Sequence, residues 1–256
     1  MKQLICLLSF GLLLTSACSV REDRSDCPCR LELDLQTFSG FADRVTVSVW
    51  EGTAASQETV RTDSIHVRAL PKGVFDASVW TGADAGRIDG TRLVLPTSGR
   101  SDSLRLFRTR LDCRREVCRE QAEPFRQFAR IRLEIETEPG TAFPYRLRVE
   151  SDYCGLDLRD LRPIPGGHTF ALPQLGEGHY VFDLLRHDPD TMVRIGIWDG
   201  ETRLSSLPLA EWLRAAGYDW EAPDLTPVRL TLDYGRNIVR IQMEGWQEGE
   251  AVEAWL

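Results

Sequence analysis

Lysine is almost missing from this sequence: Lys2 and Lys72 are the two in 256 residues. Histidine is scarce at four and methionine at three. The remaining basic side chains are arginines scattered along strand-like segments, and 31 basic against 39 acidic groups leave a net charge of −8. A nucleic-acid binder needs a basic face for phosphates, so that class is excluded. No run reaches the roughly 20 apolar residues that cross a bilayer as a helix. Catalytic signatures are missing too. The chain has no G-x-S-x-G elbow, no phosphate loop and no dinucleotide glycine pattern. His66, His168, His179 and His187 form no metal-binding pair, and the cysteines lack paired zinc spacing. His187-Asp188-Pro189-Asp190 reads as a polar hairpin tip. Asp84 to Gly90 reads as a turn, because it lacks the central acid and closing glutamate of a calcium loop. No metal, cofactor, catalytic residue or small-molecule substrate is expected, and the chain is not read as an enzyme.

What is present begins at the N-terminus. Lys2 is followed by an almost wholly apolar run, Leu4 to Leu14, and by small residues Thr15-Ser16-Ala17. That is the layout of a secretory signal, residues 1–17. Small residues directly before Cys18 resemble the lipobox of bacterial lipoproteins, with Thr15 where leucine is usual. The resemblance implies cleavage before Cys18 and acylation of its thiol. Each buried methylene contributes about 0.8 kcal/mol, so two or three acyl chains hold a protein at a membrane. Losing Lys2 leaves 30 basic against 39 acidic groups, net −9. Residues 18–26 read as a solvated tether, and Glu22, Asp23 and Asp26 resemble the export tags of surface lipoproteins in some Gram-negative anaerobes. The expected location is the outer membrane, on its outer face.

Five cysteines remain beyond Cys6 and Cys18: Cys27, Cys29, Cys113, Cys118 and Cys154. An exported chain meets an oxidising compartment, so disulfides are the default expectation, and an odd number leaves a thiol over. Cys113 and Cys118 could close a small loop. Cys27 or Cys29 could reach a distant partner such as Cys154. The connectivity stays open.

The remaining pattern is strand-like. Leu31, Leu33 and Leu35 alternate with polar residues, as do Val45, Val47 and Val49. Ala129 to Glu136 alternates as cleanly. Period-two alternation sets one face on a core and the other in water. Turn residues such as Pro71-Lys72-Gly73 and Asp89-Gly90 punctuate these runs, which predicts an all-β chain of antiparallel sandwiches. The pattern breaks between Arg114 and Phe128, a charged stretch containing Pro124 that reads as a short helix or linker. A boundary near residue 122 then divides domains of residues 27–122 and 123–256. One helix is expected in the second domain, from Pro208 to Ala216, with Leu209, Trp212, Leu213 and Ala216 on one face and Gly217 ending it. Trp50, Trp80 and Trp198 read as core, whereas Trp220, Trp246 and Trp255 sit in polar company and are expected at the surface.

A lipobox cysteine, a short acidic spacer, Asp26-Cys27-Pro28 and then an alternating strand resemble the fimbrillin-A associated anchor proteins, with Cys29 as an extra cysteine. The specific motif covers about a dozen residues, but the layout matches over the whole chain, including Trp246 near the end. The resemblance implies two tandem transthyretin-like sandwiches and a lipid at Cys18. It also implies a role in fixing a fimbrial shaft to the outer membrane and ending its growth, with shaft subunits as partners. In that family, shaft subunits are thought to join when a strand from one fills a groove opened in the next by removal of its first strand. Strand addition satisfies unpaired sheet edges and exposed core. Leu31, Leu33 and Leu35 would here fill their own groove, and the stretch with Val239, Ile241 and Met243 is the candidate donor strand. The alternative reading is a surface glycan-binding lipoprotein of a nutrient-uptake system.

Overall fold

β1 (Cys29–Asp34) alternates because a strand sends successive side chains to opposite faces, and its buried set is Cys29, Leu31 and Leu33, continued by Leu35 just beyond it. Each fully buried leucine contributes about 2 kcal/mol relative to exposure. The computed structural model describes residues 26–52, 54–236, 238–244 and 252–255. Among these the chain is nearly all β, built as two tandem sandwiches.

In the first sandwich, β1 lies between β4 (Ile65–Leu70), antiparallel to it, and β9 (Val117–Gln121), parallel to it. The facing sheet runs β10 (Phe125–Arg126), β8 (Arg105–Asp112), β5 (Val74–Thr81), β2 (Arg44–Glu51) and β3 (Ala54–Arg61). Between them lie Leu31, Leu33, Phe38, Val47, Phe75 and Leu111. The Arg114–Phe128 stretch is thus not a helix: it holds β9 and β10, and the passage from the first core to the second follows Ala122. Val117, Arg119 and Gln121 face out while Cys118 and the following Ala122 are buried, and pairing with β1 decides the conformation. Tertiary context overrides a weak local signal here.

The second sandwich repeats the arrangement of its first strand. β11 (Phe128–Glu136) lies between β15 (His179–Leu185), antiparallel, and β18 (Val228–Asp233), parallel. Its sheet continues through β19 (Ile238–Met243) to β20 (Val252–Trp255) on one side and to β14 (Gln174–Gly176) on the other. The facing sheet is organised on the long β12 (Arg146–Asp157). This strand pairs β13 (Pro163–Ala171) along one edge. The other edge pairs β16 (Val193–Asp199), which in turn pairs β17 (Thr202–Leu207). α1 (Leu209–Ala215) packs Leu209, Ala210, Trp212 and Leu213 inward and stops at Gly217, whose φ of 72° suits glycine.

The two cores do not divide the chain once. β6 (Arg87–Asp89) and β7 (Arg92–Val94) leave the first sandwich, and β7 pairs the far end of β12. Leu93, Leu95 and Leu104 belong to the second core; the chain then returns through β8 and crosses finally between Ala122 and Phe128. The turn expected over residues 84–90 is therefore in part β6. The β12–β7 contact requires Gly155: a Cβ there would stand 2.0 Å from the Leu93 carbonyl oxygen. Gly155→Ala is expected to cost about 1–3 kcal/mol by forcing β7 off its neighbour. Urea denaturation midpoints check this; an unchanged midpoint would show that the contact yields freely.

Candidate functional site

The described chain enters the fold at Asp26 and reaches β1 at Cys29. Cys18, the expected signal of residues 1–17 and most of the expected tether lie outside the described residues, as does Trp246. Asp26 and Cys27 are exposed, Cys29 is fully buried, and from there both edges of β1 are paired. The place between β4 and β9 is filled by the chain's own β1.

All five cysteines are free thiols. None of the pairings considered from the sequence is closed. Cys29, at the start of β1, lies in one buried cluster with Cys113 and Cys118. The Cys113 thiol has the other two thiols as neighbours; burial first, then the Cys29 thiol, pushes its pKa up to about 12. Burial raises Cys118 as well. Cys154 stands apart in β12, with its Sγ 3.5 Å from the Pro165 carbonyl oxygen. The sequence showed the cysteines but not their grouping, which depends on the parallel β1–β9 pairing. No group of histidine, cysteine and acidic residues among the described residues is arranged to hold a metal.

The candidate donor stretch forms β19 of the second sandwich. β19 is paired to β18 on one edge and β20 on the other, with Val239 and Ile241 buried and Met243 packed against the same core. Giving it to another subunit would tear open this chain's own sheet.

Polar contacts fix one sandwich on the other. Arg126 holds Asp224 through its side chain at 3.0 Å and its backbone amide at 2.6 Å. Arg159, in the turn after β12, donates at 2.6 Å to Asp76 on β5 and at 2.9 Å to the Gly52 carbonyl. Beneath them Arg186 is buried without a carboxylate among its hydrogen-bond partners. It donates to Gln127 Oε1 at 2.7 Å, to the Ala222 carbonyl at 2.5 Å, and to the Trp220 carbonyl. Gln127 sits between β10 and β11, the final crossing. Beside it the His187 ring lies 3.8 Å from that of Trp220. Trp220, expected at the surface, is 3% exposed because it closes this network.

A cavity of about 320 Å³ opens near the junction, lined by Arg100, Ser101, Asp102, Arg130, Phe182 and Asp183 among others. Much of its polar lining is internally engaged. Asp102 accepts from the Ala85 and Gly86 amides at 2.6 and 2.9 Å, and burial raises its pKa. Arg130 donates to Asp183 at 2.8 Å. Among the tryptophans whose side chains are described, Trp50, Trp212 and Trp220 are buried and Trp80 and Trp198 half-buried, which places these five poorly for stacking on sugars.

The sequence matches no protein-family model and no curated protein. Solved structures do share the fold. A candidate polysaccharide-binding protein of Bacteroides thetaiotaomicron is 15% identical at a TM-score of 0.61, covering 89% of this chain and 98% of its own. A candidate adhesin of Bacteroides ovatus is 14% identical at a TM-score of 0.59, covering 93% and 97%. The fimbrial anchor protein Mfa2 of Porphyromonas gingivalis is 12% identical at a TM-score of 0.57, covering 86% and 98%. At these identities the likeness is one of fold, over nearly the whole of each chain.

Proposed function

We propose that the chain is an exported lipoprotein, tied to the outer membrane through Cys18, that serves as a non-enzymatic base for a fimbrial shaft and ends its assembly. The observation that carries this reading is β1. The strand nearest Cys18 in the sequence is central in its sheet, and Leu31, Leu33 and the following Leu35 are buried. A subunit whose own first strand occupies the groove offers no place there for another's strand, as a terminal subunit requires. The fold shared with Mfa2 supports the same reading. Val239, Ile241 and Met243 of β19 stay the candidate donor set, and donation would require breaking the pairing of β19 with β18 and β20.

Cys18→Ala is expected to move the protein from the outer-membrane fraction to the soluble fraction and to release fimbriae into the medium. Fractionation and immunoblotting check it; unchanged partitioning would sink the lipid tether. A second reading, glycan binding, is favoured by the fold shared with the candidate polysaccharide-binding protein. The burial of Trp50, Trp212 and Trp220 weighs against it. Binding of the folded protein to a glycan array would restore that reading.

A further inference from the structure

We propose that the free edge of β4 is an interface with a second copy of this chain. The two β4 strands pair antiparallel across a two-fold axis at Val67 and join two three-stranded sheets into one. Nothing in this depends on the membrane or fimbrial readings. Backbone direction leaves the edge free. Arg30 donates its amide to the Glu116 carbonyl at 2.8 Å, and Asp34 accepts from the Ala122 amide at 2.9 Å, so the even-numbered residues of β1 bond to β9. Leu31 and Leu33 therefore bond to β4, where Arg68 and His66 stand opposite them. That parity turns the amides and carbonyls of Ile65, Val67 and Ala69 away from β1. No strand among the described residues pairs with them. The side chains of the same row are exposed, Ile65 at 53% and Val67 at 49%.

Other edges carry devices that keep sheets apart. β9 shows Arg119, held to Glu32, and β3 shows Gln57, Thr59 and Arg61. β13 contains Pro163 and Pro165, and a register shift breaks the pairing of β17. β6, β10, β14 and β20 have two to four residues. β4 has six residues in unbroken register, and its outward row holds no charge. That row is its own complement, which makes the occupant a second copy. The two-fold sets Val67 against Val67 and the large Ile65 against the small Ala69, all on one face. Each of these opposed pairs exchanges two backbone hydrogen bonds. On the other face His66 comes opposite Arg68 of the second copy. Each copy brings Glu58 alongside, 3.0 Å from His66 Nε2 and 3.3 Å from Arg68 within its own chain, so carboxylates offset the facing basic groups.

The test measures the mass of the full chain, extracted from cell envelopes in detergent, by sedimentation over a dilution series. The expected result is a dimer that dissociates on dilution. Val67→Lys and Val67→Glu each set like charges in direct opposition. Each is expected to raise the dissociation constant at least about 10-fold. An equal mixture of the two variants is expected to restore the dimer, because lysine then faces glutamate. Val117→Lys, on the exposed row of β9, is expected to change nothing. Val67 faces solvent in the single chain, and wild-type urea midpoints check that each variant stays folded. A monomeric wild-type chain overturns the proposal, including one that takes an extended segment of another protein at β4. So does a dimer that Val67→Lys leaves intact, or a mixture of the two folded variants that stays monomeric.

Discussion

Arg186→Met is expected to lower the stability of the folded chain by about 3–5 kcal/mol. The side chain is 6% exposed, and its donors satisfy Gln127 Oε1 and the carbonyls of Trp220 and Ala222. Methionine fills similar space but donates nothing, so three acceptors are left dry. Each buried, unpaired polar group costs about 1–3 kcal/mol, and neighbouring losses are not fully additive. Arg186→Lys restores a charge but not the planar fork that reaches several acceptors at once, so partial recovery is expected. Urea denaturation gives the numbers. A double substitution with Gln127→Leu should cost less than the two single losses together, since the removed partners are shared. A midpoint within about 1 kcal/mol of wild type for Arg186→Met would mean the network does not clamp the crossing.

The second large effect is acid destabilisation through His187. The ring is 2% exposed, packed against Tyr153 and Trp220, with Nδ1 2.8 Å from the Asp188 carbonyl oxygen. Against that carbonyl, Nδ1 carries the hydrogen of a neutral imidazole. Burial lowers the pKa from 6.5 to about 4. The unfolded chain takes up the proton first, so the stability from a neutral His187 is whole above about pH 6.5. It is lost as pH falls through the window down to about 4. At 1.36 kcal/mol per unit that is about 3 kcal/mol. His168 is shifted in the same direction by burial and adds to the loss, whereas Asp102, shifted up by burial, opposes it. His187→Phe should flatten much of this slope. Denaturation midpoints at pH 4.5 and pH 7 decide it; a slope as steep in the variant as in wild type would place the acid sensitivity elsewhere.

What could be read directly from the residues was whatever depends on neighbours in the chain. Leu31, Leu33 and Leu35 alternate and are buried; Leu209, Trp212 and Leu213 share a helical face and are buried, and Gly217 ends that helix. What could not be read depends on distant pairing. β9 is a strand because β1 lies beside it, although its own charges suggest a linker. β6 and β7 have three residues each, too short to show a period, and nothing local says that β7 pairs a strand sixty residues on. Trp220 looks exposed among Asp219 and Glu221 until Arg186 and His187 are placed around it. The three thiols of the first core could be counted in the sequence, but their company could not.

The crossing of β7 into the second core also sets a folding order. β1 cannot complete its sheet until residues 117–121 are available, and β7 waits for residues 155–157 of β12. β11 in turn waits for residues 228–233. Contacts between residues so far apart close slowly, on the scale of milliseconds to seconds for β-rich domains. A chain emerging N-terminus first therefore has about half of its length out before the first core can shut, and nearly all of it before the second can. Until then Leu31, Leu33 and Leu35 sit on an unpaired strand open to association with other chains. The interval between emergence and closure is the time in which this molecule is most exposed to aggregation and most in need of a protecting partner.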